Sequence, residues 1–139
     1  MKNCLFVLFA SVLLMACPAP KPELAQILGE WNSFPSDLVS NLTIEKNKTT
    51  FEFGCGGAEI SEGLILKESE SKTYTGIFTQ GRPVIPANYN PKDDQKEVQI
   101  TFTYMNNELN ARIVDFKTGI EIGKFDYRRG GNKNIPKCL

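Results

Sequence analysis

Polar and apolar residues alternate along most of the chain beyond residue 30, the period of a strand with one face buried. Asn41-Leu42-Thr43-Ile44-Glu45 alternates, Lys46-Asn47-Lys48 interrupts, and Thr49-Thr50-Phe51-Glu52-Phe53 resumes the pattern, which predicts a hairpin. Gly54-Cys55-Gly56-Gly57 breaks the chain. Two runs follow, Ala58 to Leu66 and Thr73 to Thr79, separated by the polar Lys67-Glu68-Ser69-Glu70-Ser71. Val98, Ile100, Phe102 and Tyr104 then share one face, with Gln99, Thr101 and Thr103 on the other. Asn106-Asn107 turns the chain into Leu109 to Phe116, and Lys117-Thr118-Gly119 turns it again into Ile120 to Arg128. With Trp31 to Phe34 these make eight strands, mostly joined by short turns.

Short connections pair neighbouring strands antiparallel. Eight such strands expose two edges unless the sheet closes, and eight is the number that closes into a small barrel. The expected fold is therefore all-β, a small eight-stranded antiparallel up-and-down barrel, with an open meander as the alternative. A chain of 139 residues suits one such domain.

The first residues carry a different pattern. Lys2 precedes an apolar run from Leu5 to Met15, broken only by Ser11 and too short to span ~30 Å of hydrocarbon. That length suits the hydrophobic region of a signal peptide. Leu14-Met15-Ala16-Cys17 resembles a bacterial lipobox, where leucine, a variable residue and a small residue precede a cysteine. The resemblance implies cleavage before Cys17, a diacylglyceryl group on its thiol and a fatty acyl chain such as palmitate on the new amino terminus. Buried acyl chains contribute about 0.8 kcal/mol per CH₂, so two or three hold a protein firmly. The competing reading is an ordinary secreted protein whose Cys17 joins a disulfide.

Cysteine parity bears on that choice. Of Cys4, Cys17, Cys55 and Cys138, the first leaves with the signal peptide. Acylation of Cys17 leaves Cys55 and Cys138 as a pair, suited to an oxidising compartment. A bridge through Cys17 would leave one of them over. Residues 1–16 are thus read as a lipoprotein signal, 17–22 as the lipidated cysteine and a proline-rich linker, and 23–139 as the barrel domain. Pro22 is read as opening a short helix from Glu23 to Leu28, stopped by Gly29. Pro18 follows the cysteine, not the aspartate that retains lipoproteins in an inner membrane, which favours the outer membrane of the cell envelope.

Little in the composition points to catalysis. Histidine is absent, removing the commonest general base and metal ligand, and no serine or cysteine has a histidine to activate it. The expectation is a non-enzyme with no cofactor and no metal. Gly54-Cys55-Gly56-Gly57 lacks the Lys-Ser/Thr of a phosphate loop. Asn88, Asn90, Asp93 and Asp94 lack the spacing of a calcium loop. Sixteen basic and sixteen acidic residues cancel, so no electrostatic argument for nucleic acid arises. Acids gather in residues 52–70 and bases in 124–137, read as exposed faces that attract each other. The longest loop runs from Gln80 to Gln95. Three prolines stiffen it, and Arg82, Val84, Ile85 and Tyr89 are its candidate contacts for a ligand or partner.

Gly29-Glu30-Trp31 resembles the G-x-W signature of lipocalins. That resemblance implies a barrel closed at one end by Trp31 beneath an arginine late in the last strand, here Arg128 or Arg129. It also implies a disulfide from the tail, Cys138, to Cys55, worth roughly 4–5 kcal/mol at most by loop-closure entropy. The second resemblance is to META-type bacterial lipoprotein domains. Leu28-Gly29-Glu30-Trp31 is similar to their L-x-G-x-W opening and Phe53-Gly54-Cys55-Gly56-Gly57 to their glycine-cysteine turn, with Gly56 where that family has asparagine. Two functions follow. One is a lipid-anchored binding module holding a small apolar ligand among Phe51, Phe53, Phe78 and Phe102. The other is an envelope structural or protein-interaction lipoprotein whose aromatics only fill the core.

Overall fold

The structure is a computed structural model and describes residues 27–34, 39–82, 85–131 and 133–135. Its strands are β1 (Gly29–Ser33), β2 (Ser40–Ile44), β3 (Thr49–Phe53), β4 (Gly56–Ile60), β5 (Glu70–Gln80), β6 (Gln95–Met105), β7 (Glu108–Asp115) and β8 (Glu121–Arg129). They pair antiparallel in sequence order and close into a barrel. Closure is made by β1 on β8, with Trp31 opposite Arg129 and Ser33 opposite Tyr127, which disposes of the open meander.

Alternation sets the inside. Val98, Ile100, Phe102 and Tyr104 of β6 are buried, as are Tyr74 and Phe78 of β5, Leu109, Ala111 and Ile113 of β7, and Phe125 and Tyr127 of β8. Outside, Thr73 and Thr101 pair hydroxyls at 2.8 Å and Ser71 and Thr103 at 2.7 Å across β5 and β6, the cross-strand pairs that hold an exposed sheet face. Asn106 and Asn107 both take positive φ, 54° and 61°, the turn whose twist matches a two-residue hairpin.

The fourth strand is shorter than its pattern predicts. The run expected over 58–66 is cut short: β4 stops at Ile60, which is paired with Thr49, the first residue of β3. Beyond that point the neighbour has ended. The chain bends inward instead and buries Leu64 and Leu66 as a plug. Its backbone finds other partners: Ile65 N–H donates to the Tyr74 hydroxyl at 3.0 Å, and Thr49 Oγ1 donates to Glu62 O. Of the short helix expected over 23–28, residues 23–26 lie outside the described residues, while Ile27 and Leu28 are not helical.

The two ends of the barrel therefore differ. At the end where β1 begins, Ile27, Leu64, Leu66, Trp31 and Tyr104 fill the interior. From there inward an aromatic chain continues, Tyr74 edge-on to Phe102, Phe102 stacked on Phe51 at 5.5 Å, and Phe51 against Tyr127 at 6.2 Å. This half is packed like an ordinary core. The other end, where β3, β5 and β7 finish, is the mouth.

After β8 the chain doubles back. Gly130 N–H donates to Glu30 O, the Asn32 side-chain amide donates to Gly131 O, and Asn41 exchanges two hydrogen bonds with the Lys133 backbone, at 2.7 and 2.9 Å. Lys133 Nζ reaches Ser33 O at 3.1 Å. Residues 130–131 and 133–135 thus form a strap over the outer face of β1 and β2, heading toward the mouth.

Candidate functional site: the barrel mouth

A cleft of about 420 Å³ opens at the mouth. Phe53 from the end of β3, Phe78 from β5, and Ile122 and Phe125 from β8 make its apolar wall, with Gly54, Cys55 and Gly56 on the rim. Phe53 lies 5.8 Å from Phe78 and 5.1 Å from Phe125, and beneath Phe125 the Tyr127 ring, 5.9 Å away, begins the solid core. Gln80 and Lys96 are the longer polar side chains among the lining residues.

Two local features shape this space. Between β7 and β8 the register slips, so that Ile113 and Val114 face Gly123 and Glu121 and Ile122 is extra. A bulge of this kind re-aims a side chain, and Ile122, on the outward parity of its strand, packs against the core cluster and lines the cleft. Glycines keep two wall positions empty: a Cβ on Gly123 would stand 2.7 Å from the Phe125 ring, and one on Gly56 2.9 Å from the Phe78 ring.

The candidate residues from the sequence fall in several places. Phe53 and Phe78 line the cleft, whereas Phe51 and Phe102 stack on each other inside the filled half. Trp31 is fully buried and donates from Nε1 to Ile27 O at 2.8 Å. Arg129 lies over its ring at 4.9 Å and donates to Leu28 O. Arg128 is elsewhere, over Phe34 at 3.7 Å and paired with Glu108 at 2.7 Å. Arg128 and Lys133 thus find partners beside them, not in the acidic 52–70 stretch.

Arg82 and Tyr89 both hold the nearly buried Asp94. The guanidinium donates to both carboxylate oxygens, Nε at 2.6 and 2.8 Å, and the Tyr89 hydroxyl donates at 2.7 Å. These bonds hold the Asp94 carboxyl below its ordinary range, the Arg82 hydrogen bond foremost, against the opposing effect of burial. Arg82 and Tyr89 are thereby clasped to the 3₁₀ turn that precedes β6, Pro91–Asp94, capped by Asn90. Ile85 remains 68% exposed. Val84 lies outside the described residues, as do Cys17 and Cys138.

Pattern reading missed Ile122, Gly123, Phe125 and Lys96 as a group. A lone glycine within the last strand is the signal of a bulge or a close approach; nothing in the sequence signals that Lys96 reaches the same space. Among the described residues no cluster of potential ligands could hold a metal ion.

The fold and site define an eight-stranded antiparallel barrel, filled at one end and open to an apolar cleft at the other. Comparison with known protein families, with curated proteins and with solved structures returns no match.

Proposed function

We propose that this chain is an exported bacterial lipoprotein, anchored through acylated Cys17 to the outer membrane, whose lipocalin-like barrel binds a small apolar ligand at its mouth without catalysis. The apolar cleft backed by a filled core carries the reading: about 420 Å³ lies in the lower part of the ~300–1,000 Å³ range of small-molecule sites. Trp31 beneath Arg129 at the filled end is in keeping with the lipocalin resemblance. The Cys55–Cys138 bridge belongs to the same proposal. Cys55 is disulfide-bonded, and the strap has reached Ser33 and Asn41 with Cys138 five residues beyond Lys133, a reach of roughly 16 Å.

The test is native mass spectrometry of the secreted protein, with fluorescence of the neutral probe N-phenyl-1-naphthylamine alongside. An extra mass released on denaturation, or saturable probe binding, is the expected result. A bare mass, lighter only by the thiol hydrogens of one bridge, with no probe binding would sink the ligand reading. That outcome would favour the second function, a protein-interaction lipoprotein, for which the exposed Phe116 and Ile120 beside the mouth are the supporting observation. Metabolic labelling with an alkyne fatty acid, abolished by Cys17→Ser, tests the anchor.

A further inference from the structure

The geometry points to a single-chain amphiphile with an anionic head group as the occupant of the mouth, its chain against Phe53, Phe78, Ile122 and Phe125 and its head on Nζ of Lys96. This deepens the reading of the mouth as a ligand site and rests on it.

Lys96 stands on the inward-facing series of β6, two residues before buried Val98 and opposite Phe78 in the ladder. Every later member of that series is apolar or aromatic. Among the described residues Lys96 is the one cationic side chain lining the cleft, and none of the described ion pairs engages it. Asp115 feels the charge of Lys96, but one oxygen of that carboxylate already accepts the N–H groups of Lys117 and Thr118, each at 2.9 Å, and so fixes the β7–β8 turn. A cation with a long apolar stem at the lip of an aromatic pocket complements a ligand that is apolar below and negative above. The volume accommodates one alkyl chain, and the core beneath Phe125 stops it from going deeper. On the same rim, the Phe116 N–H bonds to Glu97 O and sets the exposed Phe116 and Ile120 beside the start of β6, an apolar lip for an entering chain.

The experiment uses the full chain carrying Cys17→Ser, so that no acyl group of its own competes. Dodecanoate, dodecanol and dodecyltrimethylammonium each displace N-phenyl-1-naphthylamine at neutral pH. Dodecanoate is expected to bind roughly tenfold more tightly than the alcohol, the worth of a charge-assisted hydrogen bond, and the ammonium most weakly. Lengthening the carboxylate should improve affinity about fourfold per CH₂ until the chain outgrows the cleft. The carboxylate-to-alcohol ratio should fall to about one in Lys96→Gln, be kept by Lys96→Arg, and be unchanged in Lys124→Gln, whose lysine lies exposed on the outward parity of β8. If the probe binds but carboxylate and alcohol displace it equally, the head-group assignment fails and the ligand site survives. If the probe does not bind, the ligand site itself fails.

Discussion

Tyr127 shows how a polar atom is accommodated inside this barrel. Its hydroxyl meets Ser40 Oγ at 2.6 Å, and Ser33 Oγ accepts the Ser40 N–H at 2.9 Å, so three buried residues are joined by polar contacts. Tyr127→Phe leaves the Ser40 hydroxyl without that partner and should cost about 1–2 kcal/mol in urea unfolding. Burial also raises the Tyr127 pKa well above its ordinary 10, the Ser40 bond opposing it only in part. The unfolded chain then releases this proton near pH 10 while the fold keeps it. Stability is therefore retained below pH 10 and falls above it, by up to about 1.4 kcal/mol per pH unit from this group. The alkaline slope of the unfolding free energy should be shallower by that amount in Tyr127→Phe. Asp94 works in the opposite sense. Its contribution is present above its ordinary value of 3.8 and is lost as pH falls through its lowered folded value. Arg82→Gln should move the Asp94 carboxyl resonance toward an ordinary titration midpoint and speed proteolytic cleavage within 81–94.

At the scale of elements, the strands were legible because the barrel needs one thing of them, an apolar face at period two. Val98 to Tyr104 satisfies that rule, and Asn106-Asn107 supplies the turn between β6 and β7. The pattern failed where a residue obeys the period for another reason. Leu64 and Leu66 stand two apart like the buried residues of a strand but are buried as a plug, since β3 ends before they could pair. Asn32 and Asn41 stand on the outward series of their strands, yet the strap covers them and leaves Asn41 only 4% exposed. The mouth was legible only in part. Phe53 and Phe78 lie on predicted strands, whereas the bulge that brings Ile122 inward depends on register between β7 and β8, which a single sequence does not encode locally. The strap carries a prediction at this scale. Asn41→Ala removes both hydrogen bonds to Lys133 and should cost about 1–2 kcal/mol. The Lys133 amide should lose its hydrogen-exchange protection while the amides of β6 keep theirs.

For the molecule as a whole, the seam between β1 and β8 joins the first strand to the last, and only three residue pairs close it. Trp31 opposite Arg129 puts the start of β1 and the finish of β8 at the same end of the barrel. Tension applied between those two points would open the seam as a zipper opens, one rung at a time. The strap changes the direction of the load. By returning over β1 and bonding to Asn32, Asn41 and Ser33, it carries residues 133–135 back toward the mouth. A pull between residues 27 and 135 then runs along the strands, and the rungs must yield together. In an optical trap the intact chain should rupture at a higher force than Asn41→Ala. Loaded between residues 27 and 135, the barrel is thereby pulled in shear, the direction in which a short seam is strongest.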